Sequence, residues 1–234
     1  MVGCFIILGI ALVLLVFYII LKCKKYDVKE LYFKTIISML FVTLALVATL
    51  ASDKYTIFNV LIIIGLLFGL VGDILLDLKY VDKERAPFYT YGGFVSFGIG
   101  HIFYMTGLIL NFMPNDKAYF LAFAFGLDVI LAIATILMEK PMKLEYGKMK
   151  KISFLYALCL FGSVSVSFFL AIANSFSIVS LNLFMIASIS FAASDLILSG
   201  TYFGKGKERP IDIILNYAFY YSAQYLIALL LLYL

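Results

Sequence analysis

Eight apolar stretches follow one another along the chain, near residues 3–21, 35–51, 56–77, 89–111, 118–138, 152–172, 178–199 and 212–233, each set off by a short polar break. A membrane helix needs about 20 mostly apolar residues to cross about 30 Å of hydrocarbon, and each stretch meets or approaches that length. Together they occupy most of the 234 residues and leave no room for a soluble domain. The pattern predicts an all-α membrane protein, eight transmembrane helices forming a single bundle over residues 1–234. The first stretch, "GCFIILGIALVLLVFYIIL", has no positive region before it, exceeds a signal-peptide core and runs directly into "KCKK". It therefore reads as a retained span rather than a cleaved leader.

Composition agrees with this reading. With 65% hydrophobic and 14% charged residues, the chain lies outside the range of ordinary soluble domains. Its net charge of +4 would suit a nucleic-acid partner if it formed one patch, but it is divided among alternate breaks. Sixteen of the eighteen basic residues fall in four segments, 22–34, 78–88, 139–151 and 200–211, and the intervening breaks hold only Lys54 and Lys117. Positive charge in short loops stays cytoplasmic. These four loops are thus expected on the cytoplasmic face of a plasma (inner) membrane, anchored to its lipid headgroups, with both termini outside. The partner implied is the bilayer, not nucleic acid. Cys4, Cys23 and Cys159 are scattered and lack metal-ligand spacing.

A few polar residues interrupt the apolar runs. Asp73 in "GDILL" and Asp195 in "SDLIL" stand 122 residues apart, and His101 and Gln224, each in the following stretch, stand 123 apart. The basic segments alternate in charge, five, three, five and three. Both patterns suggest two four-helix halves, about 1–117 and 118–234. An even number of spans per half makes this a parallel repeat, with a site expected between the halves.

A carboxylate at membrane depth costs several kcal/mol and is nearly always turned toward a bundle interior or wet cavity. Asp73 and Asp195 each stand about five residues, or roughly 7 Å, from the basic end of their stretch. Asp77, a turn nearer the break and close to Lys79, reads as a solvated helix end. Gly65 and Gly69, with Gly92, Ser96 and Gly100, give small-residue faces that bring the third and fourth helices together. His101, the sole histidine, shares a helix face with Phe97 and Tyr104 and needs a polar neighbour in lipid. In the last stretch Tyr217, Tyr221 and Gln224 recur on one face, with Tyr220 beside it. Asp128 has no counterpart, and its role stays open. A single histidine does not suit a hydrolytic zinc site, and no nucleophile elbow or P-loop is present. Two carboxyl groups sharing a site resist ionising together, and one protonated and one ionised group is what general acid–base chemistry uses. The residues alone leave three classes open: a lipid hydrolase, a proton-coupled transporter of a small solute or lipid, and a non-catalytic lipid-binding protein.

Four segments in order, "GLVGDILLDL", "FGIGHIFY", "FAASDLIL" and "YYSAQYLIA", resemble the ordered signatures of the YhhN family, small eight-helix membrane proteins that include the animal lysoplasmalogenases. The resemblance extends from about residue 34 to 228. It implies hydrolysis of the vinyl ether bond of a lysolipid to a fatty aldehyde and glycerophosphoethanolamine or glycerophosphocholine. The family's Gly-Asp and Ser-Asp motifs match Gly72–Asp73 and Ser194–Asp195, which implies that Asp73 and Asp195 are the catalytic pair. His101, Tyr221 and Gln224 match the family's His and Tyr/Gln positions, and Lys34 matches the lysine that opens its second helix. With Tyr104 beside His101, these form the substrate-binding set. Thr35 stands where the family commonly has Pro, and "MIASISFAASD" lacks an upstream Gly. The chemistry implied, proton transfer to carbon followed by water addition, requires neither metal nor redox cofactor.

Overall fold

A computed structural model describes residues 1–23, 28–204 and 209–234. The helices are α1 (Val2–Lys22), α2 (Val28–Ser52), α3 (Ile57–Val81), α4 (Ala86–Phe112), α5 (Tyr119–Leu137), α6 (Lys150–Ala173), α7 (Val179–Phe203) and α8 (Pro210–Leu229), the last continued by a 3₁₀ turn over Leu230–Tyr233. Among the described residues these eight are long and apolar enough to cross a membrane. The fold class read from the hydrophobic pattern is the one observed, a multi-pass all-helical bundle.

The helices overrun the apolar stretches, mostly at the basic end. Lysine stems can lie along an apolar surface while their heads reach water, so a helix can continue past the last run of Leu and Ile. Two corrections follow. Lys34, counted above with the break 22–34, lies two turns inside α2 and is buried. Asp73 and Asp195 each stand eight residues from their helix ends, about 12 Å rather than 7 Å. A helix of 25 residues is longer than the roughly 30 Å hydrocarbon core. Lys24, Lys25, Lys205 and Lys207 lie outside the described residues.

Six helices close into a ring in the order α2, α3, α4, α6, α7, α8, each packed on the next and α8 back on α2. α1 lies outside against α2 and α8, and α5 lies outside against α6. α3 and α4 make the closest pair, as their small residues predict. A methyl group on Gly65 would collide with the Tyr104 ring, one on Gly72 would lie 2.6 Å from Phe97, and one on Gly100 would lie 2.9 Å from the Gly65 carbonyl. Without a hydrophobic force between helices in lipid, such close backbone approach and interhelical hydrogen bonds hold the bundle. Ser96 Oγ, which donates to the Phe68 carbonyl at 2.6 Å, is one of these bonds.

Candidate active site

The ring surrounds a small chamber lined by charged and hydroxyl side chains among apolar ones, toward the end of the bundle where α3 and α7 terminate. All six ring helices line it, contributing among others Lys34 from α2, Asp73 from α3, Phe97 from α4, Tyr156 from α6, Asp195 from α7 and Tyr220 from α8. Its volume of about 40 Å³ gives room for about three water-sized groups. The expectation that the two aspartates meet across a shared space is met: they come from different quarters of the ring and line one cavity.

Asp73 is buried, and both its oxygens are engaged. Lys34 Nζ stands 3.3 Å from Oδ1, while Ser38 Oγ and Tyr220 OH each donate to Oδ2 at 2.6 Å. Lys34 also reaches Asp77 Oδ1 at 3.1 Å. Asp77 is therefore a buried ion-pair member, 2% exposed, and not the solvated helix end that its distance from mid-membrane suggested. The reason is α2. Its extra turns carry Lys34 between the two carboxylates, and Asp73 and Asp77, one turn apart, present to it together. Charges in a low-dielectric interior persist only when paired and hydrogen-bonded; here one ammonium serves two carboxylates and hydroxyls complete the shell.

Asp195 is partly buried and accepts a hydrogen bond from Tyr156 OH at Oδ2. Among the described residues no lysine is paired with it as Lys34 is with Asp73. Next to it Ser194 is fixed by Asn216, whose amide donates to the Ser194 carbonyl at 2.9 Å and to its hydroxyl at 3.0 Å. These bonds hold α7 to α8 where the aspartate projects.

The other predicted residues divide into two groups. Tyr221 lies 3.2 Å from Ser38 Oγ, in hydrogen-bond contact behind Asp73. Gln224 Nε2 donates to Tyr220 OH at 3.0 Å, and Tyr104 OH contacts Gln224 Oε1 at 3.4 Å. Gln224, Tyr220 and Asp73 thus form a relay of hydrogen bonds, with Tyr104 at its deep end. His101 stands apart: its Nδ1 contacts Ser163 Oγ at 3.0 Å, and Phe191, Tyr104 and Tyr156 surround its ring. It has the polar neighbour that lipid demands, but it does not line the chamber. Asp128 of α5 is buried against α6, its Oδ2 beside Gly162, and its Oδ1 has no hydrogen-bond partner among the described residues.

Sequence reasoning missed Ser38, Tyr156 and the direct part played by Tyr220. Ser38 follows Lys34 by one turn and so shares its face. Tyr156 follows Lys34 by the same 122 residues that separate Asp195 from Asp73. Both spacings were available in the sequence.

The bundle thus joins two acidic side chains from distant parts of the chain in one chamber. The YhhN family model matches residues 30–231, and the chain belongs to the YhhN family. No curated protein and no solved structure matches it.

Proposed function

We propose that this protein is a membrane hydrolase that cleaves the vinyl ether bond of a lysolipid, with Asp73 and Asp195 as its acid–base pair. The observation that carries the proposal is the common chamber of these two aspartates, which have unlike partners. Asp73, with an ammonium and two hydroxyl donors, is arranged as an anion. Asp195, with one phenol donor and no cation paired with it among the described residues, is arranged to carry a proton. The reading also rests on family membership, on a chamber with room for water, and on the place of both aspartates eight residues from the ends of α3 and α7, which would set them near the depth of a lysolipid's ether bond.

Chemically, the Asp195 carboxylic acid transfers its proton to the vinyl carbon on the chain side, leaving an oxocarbenium ion toward the glycerol oxygen. Anionic Asp73 stabilises that cation and accepts a proton from the water that adds to it. The hemiacetal then collapses: the carbon–oxygen bond to glycerol breaks, the glycerol oxygen takes the proton held by Asp73, the hemiacetal hydroxyl proton passes to Asp195, and an aldehyde remains with both aspartates restored. In this scheme Lys34, Tyr221, Tyr104 and Gln224 position the reacting groups, and His101 braces α4 against α6.

The two halves of the chain would be a parallel repeat with this site between them. The Lys34–Asp73 and Tyr156–Asp195 contacts coincide after a 122-residue step. So do the left-handed residues that end α2 and α6, Asp53 at φ 54° and Ser175 at φ 53°. The basic ends of the bundle would face the cytoplasm, and the chamber would open toward that leaflet.

The test is aldehyde release from lysoplasmenylethanolamine by purified protein. Release is expected from the wild type and is expected to be lost in Asp73→Asn and in Asp195→Asn. No release from the folded wild type, or full release from both variants, would overturn the proposal.

A further inference from the structure

Beyond the polar chamber lies a second cavity, between α4, α5, α6 and α7, with a volume of about 70 Å³. Its wall is apolar, built from residues such as Phe94, Ile136, Leu160, Phe161 and Phe203. Phe94, Tyr156, Asp195, Leu198 and Tyr202 line both cavities, so the Tyr156–Asp195 contact stands in the partition between them. On the outer side Leu196, 44% exposed, stands at the lip. There α5 packs chiefly on α6 and leaves α7 facing it across the cavity.

The surroundings of Asp73 differ in character. The 122-residue step that takes Lys34 to Tyr156 also takes Asp77 to Ser199 and Ser38 to Leu160. Beside Asp73 stand the ammonium of Lys34, the carboxylate of Asp77 and the Tyr217 ring of α8, with Tyr18 packed edge-on to that ring. Beside Asp195, Ser199 and Leu160 stand where Asp77 and Ser38 stand beside Asp73, and the wall there is mostly apolar.

We infer that this apolar cavity is the site for the aliphatic chain of a single-chain amphiphile, holding the carbons next to the reacting bond, with the chain passing out between α5 and α7 into the bilayer. The inference rests on the hydrolase reading and deepens it. The difference between the halves sets the direction of the substrate, chain toward Asp195 and glycerol toward Asp73 and Lys34. Its cross-section selects one chain, since the cavity has room for only about five water-sized groups. The chain-side carbon then falls beside Asp195, the group assigned to protonate it. A diacyl lipid would have to lay a second chain beside the charges of Lys34, Asp73 and Asp77.

The test uses wild-type protein in bilayers and an uncleavable probe, a 1-O-alkyl lysophosphoethanolamine carrying a photoreactive diazirine on one of the first few chain carbons. Labelled sites are mapped by peptide mass spectrometry with and without excess unlabelled alkyl lysolipid. Competable labelling of the cavity walls of α5, α6 and α7 is expected, with loss of that labelling in Ala157→Phe, which fills the cavity from α6. Labelling confined to lipid-facing surfaces, or unaffected by competitor, would overturn the inference. The two readings fail separately: chain labelling here without aldehyde release would remove the hydrolase and keep the chain site, whereas aldehyde release with labelling elsewhere would do the reverse.

Discussion

Replacing Lys34 with methionine isolates the electrostatic core of the site. The change keeps an unbranched side chain of similar length but removes the ammonium that stands 3.1 Å from Asp77 and 3.3 Å from Asp73. At an effective dielectric of about 20, each of those contacts is worth roughly 5 kcal/mol. The desolvation of Lys34 offsets a large part of the sum, and removing one member of a buried pair typically costs about 3–5 kcal/mol. For a chain of this size each kcal/mol moves the unfolding midpoint by roughly 2–4 °C, so Lys34→Met is expected to lower it by roughly 6–20 °C in detergent micelles. The damage comes from two carboxylates left facing each other, so the Lys34→Met/Asp77→Asn double variant should recover part of the loss. The expected coupling energy is at least about 1 kcal/mol. Thermal unfolding followed by circular dichroism across the four-protein cycle measures both quantities. A midpoint for Lys34→Met within about 2 °C of wild type, or strict additivity with Asp77→Asn, would refute the claim that Lys34 serves both carboxylates.

Three further outcomes are expected. Tyr156→Phe removes the single hydrogen bond that Asp195 receives from α6 while keeping the ring packed against Phe94 and His101; aldehyde release should fall at least about tenfold, about 1.4 kcal/mol of barrier, with an unchanged unfolding midpoint. Gly65→Ala forces a methyl group into the Tyr104 ring and should destabilise the α3–α4 pair by about 1–3 kcal/mol, read as a lower midpoint. A C-terminal alkaline phosphatase fusion should be active and a C-terminal green fluorescent protein fusion dark, because the proposed topology puts that end outside.

The fold was legible because its signal is the bluntest a sequence carries. Runs of Leu, Ile and Phe long enough to cross a bilayer define the helices, and Gly65 and Gly100 mark the tight α3–α4 contact. Helix ends were less legible. Lysines near a span boundary read as loop, although their stems extend the helix, and that hid Lys34 inside α2 and made Asp77 look solvated. Asp73, Asp195, Tyr221 and Gln224 announced themselves as polar groups where lipid should be. Tyr156 and Tyr220 did not, because tyrosine is ordinary at an interface and only the three-dimensional contact distinguishes the one that meets a carboxylate. His101 shows the converse: a rare residue at depth, whose hydrogen-bond contact turns out to be Ser163 rather than either aspartate.

The account stands on two carboxyl groups that share a chamber and divide the work of protonating carbon and activating water. The most direct measurement is hydrolysis of lysoplasmenylethanolamine in D₂O by purified protein, with the released aldehyde reduced at once to the alcohol and its deuterium located by mass spectrometry. One deuterium on the carbon next to the former carbonyl is expected from the wild type, with no aldehyde from Asp73→Asn or Asp195→Asn. An aldehyde without that deuterium, or undiminished product from both variants, would contradict it.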